Sequence, residues 1–433
     1  NKDTITSQIS LTTKERSGFE VKKLSARIKW FPEAMEFNKL DLQTGKSHLR
    51  NFFAMRFRTL DDMSDFVTKI RLEADLDDAN LDSDDIAWFA PELKDWKKSI
   101  RLTGHIRGTI ADLRGKNLVV EAGKSTFLNG DLHMIGLPDI NKTYIEFKSN
   151  EFRTVYRDMA TLVPQIKSIG QPRLDRIEWL RFKGNFTGNI MNFVTNGTIE
   201  TNLGTVTTDV NMKLSGSKPS VYSGNISTDN FDIGQFLDNE GMGKISFQGK
   251  VNGTGLRSAT LNATLDGTVR NLDFNNYTYQ NLKINGTIAQ KKFNGRLVSE
   301  DPNLAADLNG LIDFSHDQPK FDFEANVAKA DLTKLHIVSK QVEFNGKFRV
   351  NFTGDNIDNF LGSARIYDAS VLKNGQRISF DSLTLESSVI DNNKTITVVS
   401  NEFDGAIVGE FSIRDLPASF QTFLNKYYPS YIE

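Results

Sequence analysis

Apolar and polar residues alternate along this chain almost from end to end. The stretch Val342 to Gly354, "VEFNGKFRVNFTG", puts Val342, Phe344, Gly346, Phe348, Val350 and Phe352 on one parity. Glu343, Asn345, Lys347, Arg349 and Asn351 fall on the other. A period of two residues is a strand with one dry and one wet face. The same pattern is read in "IRLTGHIRGTI" (100–110), "KISFQGKV" (244–251), "NLAADLNGLIDF" (303–314) and "EFDGAIVGEFSI" (402–413), with turn chemistry such as "NNYT", "SHDQP", "KNGQ" and "DNNK" between runs. About one strand per 14–18 residues predicts roughly 22–28 strands, which in single file would make a rod on the order of 100–130 Å long.

Helical signals are few and short. "RDMATLVPQIKSIG" (157–170) carries Pro164 inside it and is expected to be broken there. "DIGQFL" (232–237), "ADLTKL" (330–335) and "DNIDNFLG" (355–362) each read as a turn or two of helix after an Asp cap. The mixed segment 61–99 offers two further helix candidates, "DDMSDFV" and "ELKDWKKS". "DLPASFQTFLNKYY" (415–428) is the best helix, with Phe420, Phe423 and Leu424 on one face. The expected organisation is a β-rich part over 1–150, a helical seam at 151–180, regular strands over 181–414 and a helical break at 415–433.

Glycine interrupts the apolar rows. The motif apolar-x-Gly-x-apolar is centred on Gly104, Gly108, Gly130, Gly184, Gly188, Gly224, Gly249, Gly267, Gly286, Gly295, Gly310, Gly346, Gly405 and Gly409. Chance placement would give roughly four or five such motifs. A filled sandwich core wants volume at every inward position, and a strand glycine costs about 0.5–1 kcal/mol. Two readings of the glycines remain: they let the sheet curl, because Cβ atoms crowd its concave side, or they keep an inner space open for a ligand. An ordinary sandwich or barrel with glycine at bulges stands beside both. The large residues expected to face inward are Phe247, Leu265, Ile284, Phe293, Phe314, Phe344, Phe348, Phe352, Phe380, Ile407 and Phe411. The odd row, with Glu343, Lys347 and Arg349, is expected outside.

Composition narrows the choice. The chain has 433 residues with 53 Lys+Arg against 55 Asp+Glu, a net charge of −2, which argues against a nucleic-acid partner. It has 38% hydrophobic residues, so a large packed core is thinly supplied, and 31 of its residues are Phe. No cysteine is present, which removes disulfides, thiolate metal sites and thiol nucleophiles. No apolar run reaches about 18 residues, so no transmembrane helix is expected. The chain does not open with Met or a signal pattern and reads as a fragment or a processed chain.

Catalytic and metal chemistry is not found. His48, His105, His133, His316 and His336 are scattered without metal spacing. The acidic run "DLDDANLDSDD" (75–85) lacks the glycine and closing Glu of a calcium loop and reads as a solvated turn. Neither "GTG" (253–255) nor "GMG" (241–243) continues as a phosphate loop. Sequons such as Asn185, Asn225 and Asn351 match the residue types of turns and strand edges better than glycosylation. The expectation is a protein that is not an enzyme and has no cofactor or metal.

Several phrases resemble the AsmA-like family, and within it the TamB translocation and assembly type found in the Bacteroidota. "NKLDLQTGKSHLR", with Leu40, Leu42, Thr44, Ser47 and Leu49, is similar to the opening AsmA-type repeat. "SIRLTGHIRGTIADLRGKNL", "LNGDLHMIGLPDI", "FKGNFTGNIMNFVTNGTIETNLGTVTTDVNM" and "NYTYQNLKINGTI" resemble successive segments of the TamB middle region, and "DLPASFQTFLNKYYPSYI" the helical break between its repeats. The resemblance spans nearly the whole chain through individually weak elements in a consistent order. It implies an elongated, strongly curved antiparallel β-sheet (a β-taco, or repeating β-groove) with a few short helices and a C-terminal helix. It further implies a periplasmic bridge between inner and outer membranes, carrying phospholipid acyl chains along the inward residues named above. Gly249, Gly267, Gly286, Gly295, Gly310, Gly346, Gly405 and Gly409 would give the groove its curvature. Implied partners are a BamA-like outer-membrane barrel protein and an inner-membrane anchor outside these residues. The alternatives are a scaffold for outer-membrane protein assembly and a structural or adhesin β-rod.

Overall fold

The structure, a computed structural model, describes residues 4–16, 18–88, 98–162, 166–167, 170, 172–215, 218–257, 259–356, 358–390 and 393–427. It is an open antiparallel sheet architecture of 25 strands with a few short helices, as the alternation predicts. The strands fall into two compact units, Asn1–Phe231 with Gln235–Asp238, and Asp232–Gly234 with Asn239–Glu433.

The first unit holds β1 (Ile5–Lys14), β2 (Glu20–Phe31), β3 (Ala34–Thr44), β4 (His48–Arg56), β5 (Arg71–Asp82), β6 (Ser99–Thr109), β7 (Asp112–Ala122), β8 (Thr126–Ile135), β9 (Tyr144–Val155), β10 (Trp179–Asn189), β11 (Asn192–Thr201), β12 (Gly204–Lys213) and β13 (Val221–Asp229). Each pairs antiparallel with the next. A two-residue strand, β14 (Phe231–Asp232), follows. The second unit holds β15 (Met242–Thr254), β16 (Asn262–Phe274), β17 (Tyr277–Ala289), β18 (Lys292–Asp301), β19 (Leu304–Asp313), β20 (Lys320–Asp331), β21 (Val342–Thr353), β22 (Leu361–Lys373), β23 (Gln376–Ile390), β24 (Asn393–Ser400) and β25 (Asp404–Gly409), again each paired with the next.

The helices are α1 (Phe66–Lys69), α2 (Ser83–Ile86), α3 (Tyr156–Leu162), α4 (Ile233–Leu237) and α5 (Leu416–Tyr427). α4 and α5 fall where expected. The expected helices at 330–335 and 355–362 are not formed: 332–335 is a turn after β20, and the described residues 355–356 and 358–359 form bends and a turn before β22. Asp and Asn side chains close these loops on nearby amides, since Asp331 accepts from the Lys334 N–H (3.1 Å), and Asn359 from those of Asp355 and Asn356 (3.0 and 3.1 Å). Pro164 and most of "ELKDWKKS" lie outside the described residues. The expected seam at 151–180 is not a break in the sheet. β9 pairs with β10 from Val155↔Trp179 to Ile145↔Gly188 with one register shift between Phe182 and Gly184, so the ladder continues across the expected seam. The division into units falls later, around Phe231–Asn239. The acidic run 75–85 is β5 running into α2, not a turn.

Neighbouring backbones converge at the glycines. A Cβ placed on Gly249 would lie 2.4 Å from the Asp266 carbonyl oxygen and 2.6 Å from the Gly267 Cα, while the Phe247 ring reaches to 2.7 Å. Gly249 and Gly267 are directly opposite each other, so both strands lack a Cβ at the same point and their backbones lie where side chains would collide. In the second unit Gly286, Gly295 and Gly310 are likewise opposite one another across β17, β18 and β19. Glycine thus forms a crease that crosses strands, as curvature requires. The open-space reading fails along this crease: Phe247 covers Gly249 and Gly267, Phe293 covers Gly286, and Phe344 covers Gly346. Among the motif glycines the space is empty at Gly405 and Gly409.

Gly346 separates the two roles of glycine. Its φ of +152° is closed to other residues, and an added Cβ would meet the Ala369 Cβ at 2.6 Å and the Phe344 ring at 2.9 Å. Gly346→Ala is therefore expected to cost about 2 kcal/mol, whereas Gly405→Ala leaves stability unchanged or raises it by about 0.5 kcal/mol. Hydrogen exchange of the β21 and β25 amides measures both; equal effects at the two positions contradict the crease.

Candidate functional site

Directly opposed residues in an antiparallel ladder share a face, so register alone locates the apolar side of each unit. In the second unit four cross-strand rows emerge. The first runs Phe247, Val269, Leu282, Ser299, Ala306, Val327, Gly346. The next runs Gly249, Gly267, Ile284, Leu297, Leu308, Ala325, Phe348, Ile366, Leu383. A third runs Val251, Leu265, Gly286, Gly295, Gly310, Phe323, Val350, Ala364, Leu385, Val398, Gly405. The fourth runs Gly253, Ala263, Ile288, Phe293, Ile312, Phe321, Phe352, Gly362, Ser387, Ile396, Ile407. The expected inward residues Phe247, Leu265, Ile284, Phe293, Phe348, Phe352 and Ile407 therefore lie on one face. Phe344 joins them through Ala330 and Val371, and Phe380 through Ala369.

Two expected lining residues lie beyond strand ends. Phe314 follows β19, is 52% exposed and sets its edge against Phe321 (5.7 Å between ring centroids). Phe411 follows β25 and lies under the Lys394 ammonium (5.8 Å to the centroid). Phe321 packs at a tilt against Phe352 (4.9 Å between ring centroids) and Phe352 against Phe360 (4.7 Å), so aromatic rings line one margin of the face.

The face is apolar but not sealed. Leu265, Ile284, Phe293, Leu297, Leu308, Phe321, Phe323, Phe344, Phe348 and Phe352 are half-buried, although each points away from the wet side. The chain exposes 26125 Å², against about 20,000 Å² for two separate compact bodies sharing its mass. A second packed layer would bury these rows. Buried apolar side chains do gather in the first unit, in the cluster Ala74, Leu76, Ala79, Leu102 and Leu118. The first unit repeats the arrangement, with Ala79, Leu102, Val120, Leu128, Phe152, Phe182, Ile199 and Val206 in one row.

The opposite face is ionic. Arg349 pairs with Glu324 (2.6 Å), Lys347 with Asp368 (2.7 Å), Arg296 with Asp307 (2.6 Å) and Lys283 with Glu300 (2.6 Å). Lys347 and Arg349 thus point outward, as the alternation predicts. His48, His105 and His133 each sit beside carboxylates on the wet side: Asp41 (2.7 Å), Asp75 (2.5 Å), and Asp112 with Glu146 (2.7 and 3.0 Å). No group of metal-ligating residues forms among the described residues.

Sequence reasoning missed the bulges. Alternation slips by one at Leu76/Ala79, Gly115/Leu118 and Val327/Ala330, and between Tyr367 and Ser370 opposite Asn345/Lys347, where register shifts. Asp78, Asn117 and Asp368 take left-handed φ of 50°, 52° and 49° near three of these slips, a conformation Asp and Asn tolerate. An apolar spacing of three instead of two, with Asp or Asn inside it, is the signal.

Compared with family models, curated proteins and solved structures, the chain gives no match.

The Asp313 carboxylate fixes the turn beside Phe314. Burial pushes its pKa up, but hydrogen bonds from Ser315 and the Lys292 ammonium (3.0 Å) outweigh this and hold it at about 2. A depressed carboxylate contributes stability that is complete above its unfolded value of about 3.9 and is lost as pH falls toward 2. The protection of the Ser315 amide, taken relative to the free-peptide exchange rate at each pH, is expected to fall from about pH 4 down to about pH 2, and Asp313→Asn to remove that pH dependence. Titration of Asp313 near 4 by carbonyl NMR contradicts the assignment.

Proposed function

We propose that this chain is a non-enzymatic conduit for phospholipid acyl chains, part of an AsmA-like, TamB-type bridge across the periplasm between inner and outer membranes. The observation that carries the reading is the half-buried apolar face of β15 to β25, which has ionic pairs behind it and, among the described residues, no second layer of strands paired or packed over it. An alkyl chain laid on that face leaves water at about 0.8 kcal/mol per methylene, enough to retain a diacyl lipid. The rows repeat from strand to strand with similar, mostly apolar residues, so one position along them is nearly equivalent to the next. The resemblance to the AsmA-like family supports the same reading, and a BamA-like barrel protein is the partner it suggests.

The scaffold reading, in which sheet edges pair with client strands, needs no lipid. Native mass spectrometry of the purified chain separates the two. Bound phospholipid is expected in the wild type. Phe348→Asp places a carboxylate between Ala325 and Ile366 and is expected to reduce bound lipid about tenfold or more while circular dichroism keeps the strand signal. Lipid-free wild-type protein would overturn the conduit.

A further inference from the structure

The apolar face of the second unit excludes cations almost completely. Along β15 to β25 its paired rows hold Lys or Arg at only two described positions, Lys373 and Lys394. Both stand at margins: Lys373 closes β22 and Lys394 opens β24. Lys394 is already engaged, donating to the Asp358 carbonyl and lying against the Phe411 ring. Lys373 is exposed and has no ion pair among the described residues.

The surroundings of Lys373 combine charge with exposed apolar surface. It sits opposite Val342 and one pleat beyond the row Phe344, Val371, Ile378. Ile378 is 59% exposed. Lys340, also exposed and without an ion pair among the described residues, comes one residue before Gln341, whose carbonyl accepts the Asn374 N–H (3.4 Å). The nearby acidic groups do not neutralise this margin. Asp331 is buried and pairs with Lys334 (3.4 Å), Asp368 holds Lys347 (2.7 Å), and Glu343 is opposite Leu372 on the wet face.

Two unpaired ammonium groups bordering an open apolar row fit a ligand with an anion at one end and an alkyl chain at the other. We propose that Lys373 and Lys340 hold the phosphate of an anionic phospholipid whose acyl chain lies along Phe344, Val371 and Ile378. This rests on the conduit reading and adds to it a headgroup preference and a fixed orientation. The tail crosses the face from the lysine margin, and the headgroup stays in water beside it.

The test is competitive loading from vesicles of equal phosphatidylglycerol and phosphatidylethanolamine, followed by native mass spectrometry of the bound lipid. Wild type is expected to enrich phosphatidylglycerol. The pair Lys340→Glu with Lys373→Glu is expected to keep total bound lipid and lower the phosphatidylglycerol share about three- to tenfold, the scale of two exposed charge contacts. The pair Lys340→Gln with Lys373→Gln is expected to fall between. Lys283→Glu, on the wet face, leaves the ratio unchanged. An unchanged ratio in the double-Glu protein with lipid still bound overturns the headgroup site and spares the conduit. Wild type that binds no lipid overturns both. Inorganic phosphate that abolishes the enrichment at millimolar concentration marks Lys373 and Lys340 as a free-phosphate site and overturns the lipid assignment.

Discussion

A sheet can curl only as far as the Cβ atoms on its concave side allow. This steric limit governs most of what is unusual in the chain. At the Gly249–Gly267 pair the two backbones approach within a distance that any side chain would forbid. The space a Cβ would take is used by the backbone, and the ring of a phenylalanine two residues away lies over the pair. The unit of construction is thus Phe-x-Gly: Phe247 with Gly249, Phe293 with Gly295, and Phe344 with Gly346. Glycine permits the bend and phenylalanine restores the buried area that glycine gives up. This also explains why Phe is abundant and Trp is not, since a flat single ring covers a neighbouring backbone without a polar atom to satisfy.

From that limit the rest follows. A ladder of neighbouring strands that curls on one face keeps its apolar rows facing inward without a second layer to fill them. Half-buried Phe and Leu are the result, and the ionic pairs of the wet face hold the register from behind. Each exposed pair contributes little alone, but like charges opposite one another would be unfavourable, so the pairs select the register that keeps the apolar rows aligned. An aligned apolar face with ionic backing suits acyl chains, and cations confined to its margins suit their headgroups.

Much of this was legible in the alternation. Strand identity, the number of strands, the sharing of one face by Phe247, Phe293, Phe348 and Phe352, and the outward placement of Lys347 and Arg349 all depend on local parity, which one sequence displays. The use of glycine as a crease was only half legible, because the opposition of Gly286, Gly295 and Gly310 is a property of register between strands. The bulges at Asp78, Asn117 and Asp368 escaped because a slip in parity resembles a strand end. Residues 330–335 and 355–362 read as helix because Asp and Asn cap helices and loops by the same hydrogen bond, and a short segment offers too few residues for periodicity to decide. Phe314 and Phe411 kept the inward parity but lie past the last ladder bonds, where parity no longer assigns a face.

The account depends on the apolar face being open to a ligand instead of packed. The chain has no native cysteine, so single cysteines report one position each. Cysteine introduced at Leu308, on the apolar face, and at Asn309, beside it on the wet face, can be tested with a water-soluble thiol reagent before and after loading with phospholipid. The account predicts that both react in delipidated protein and that lipid protects only position 308. An apolar-face cysteine that is unreactive without lipid, or equal reactivity at both positions with lipid present, contradicts it.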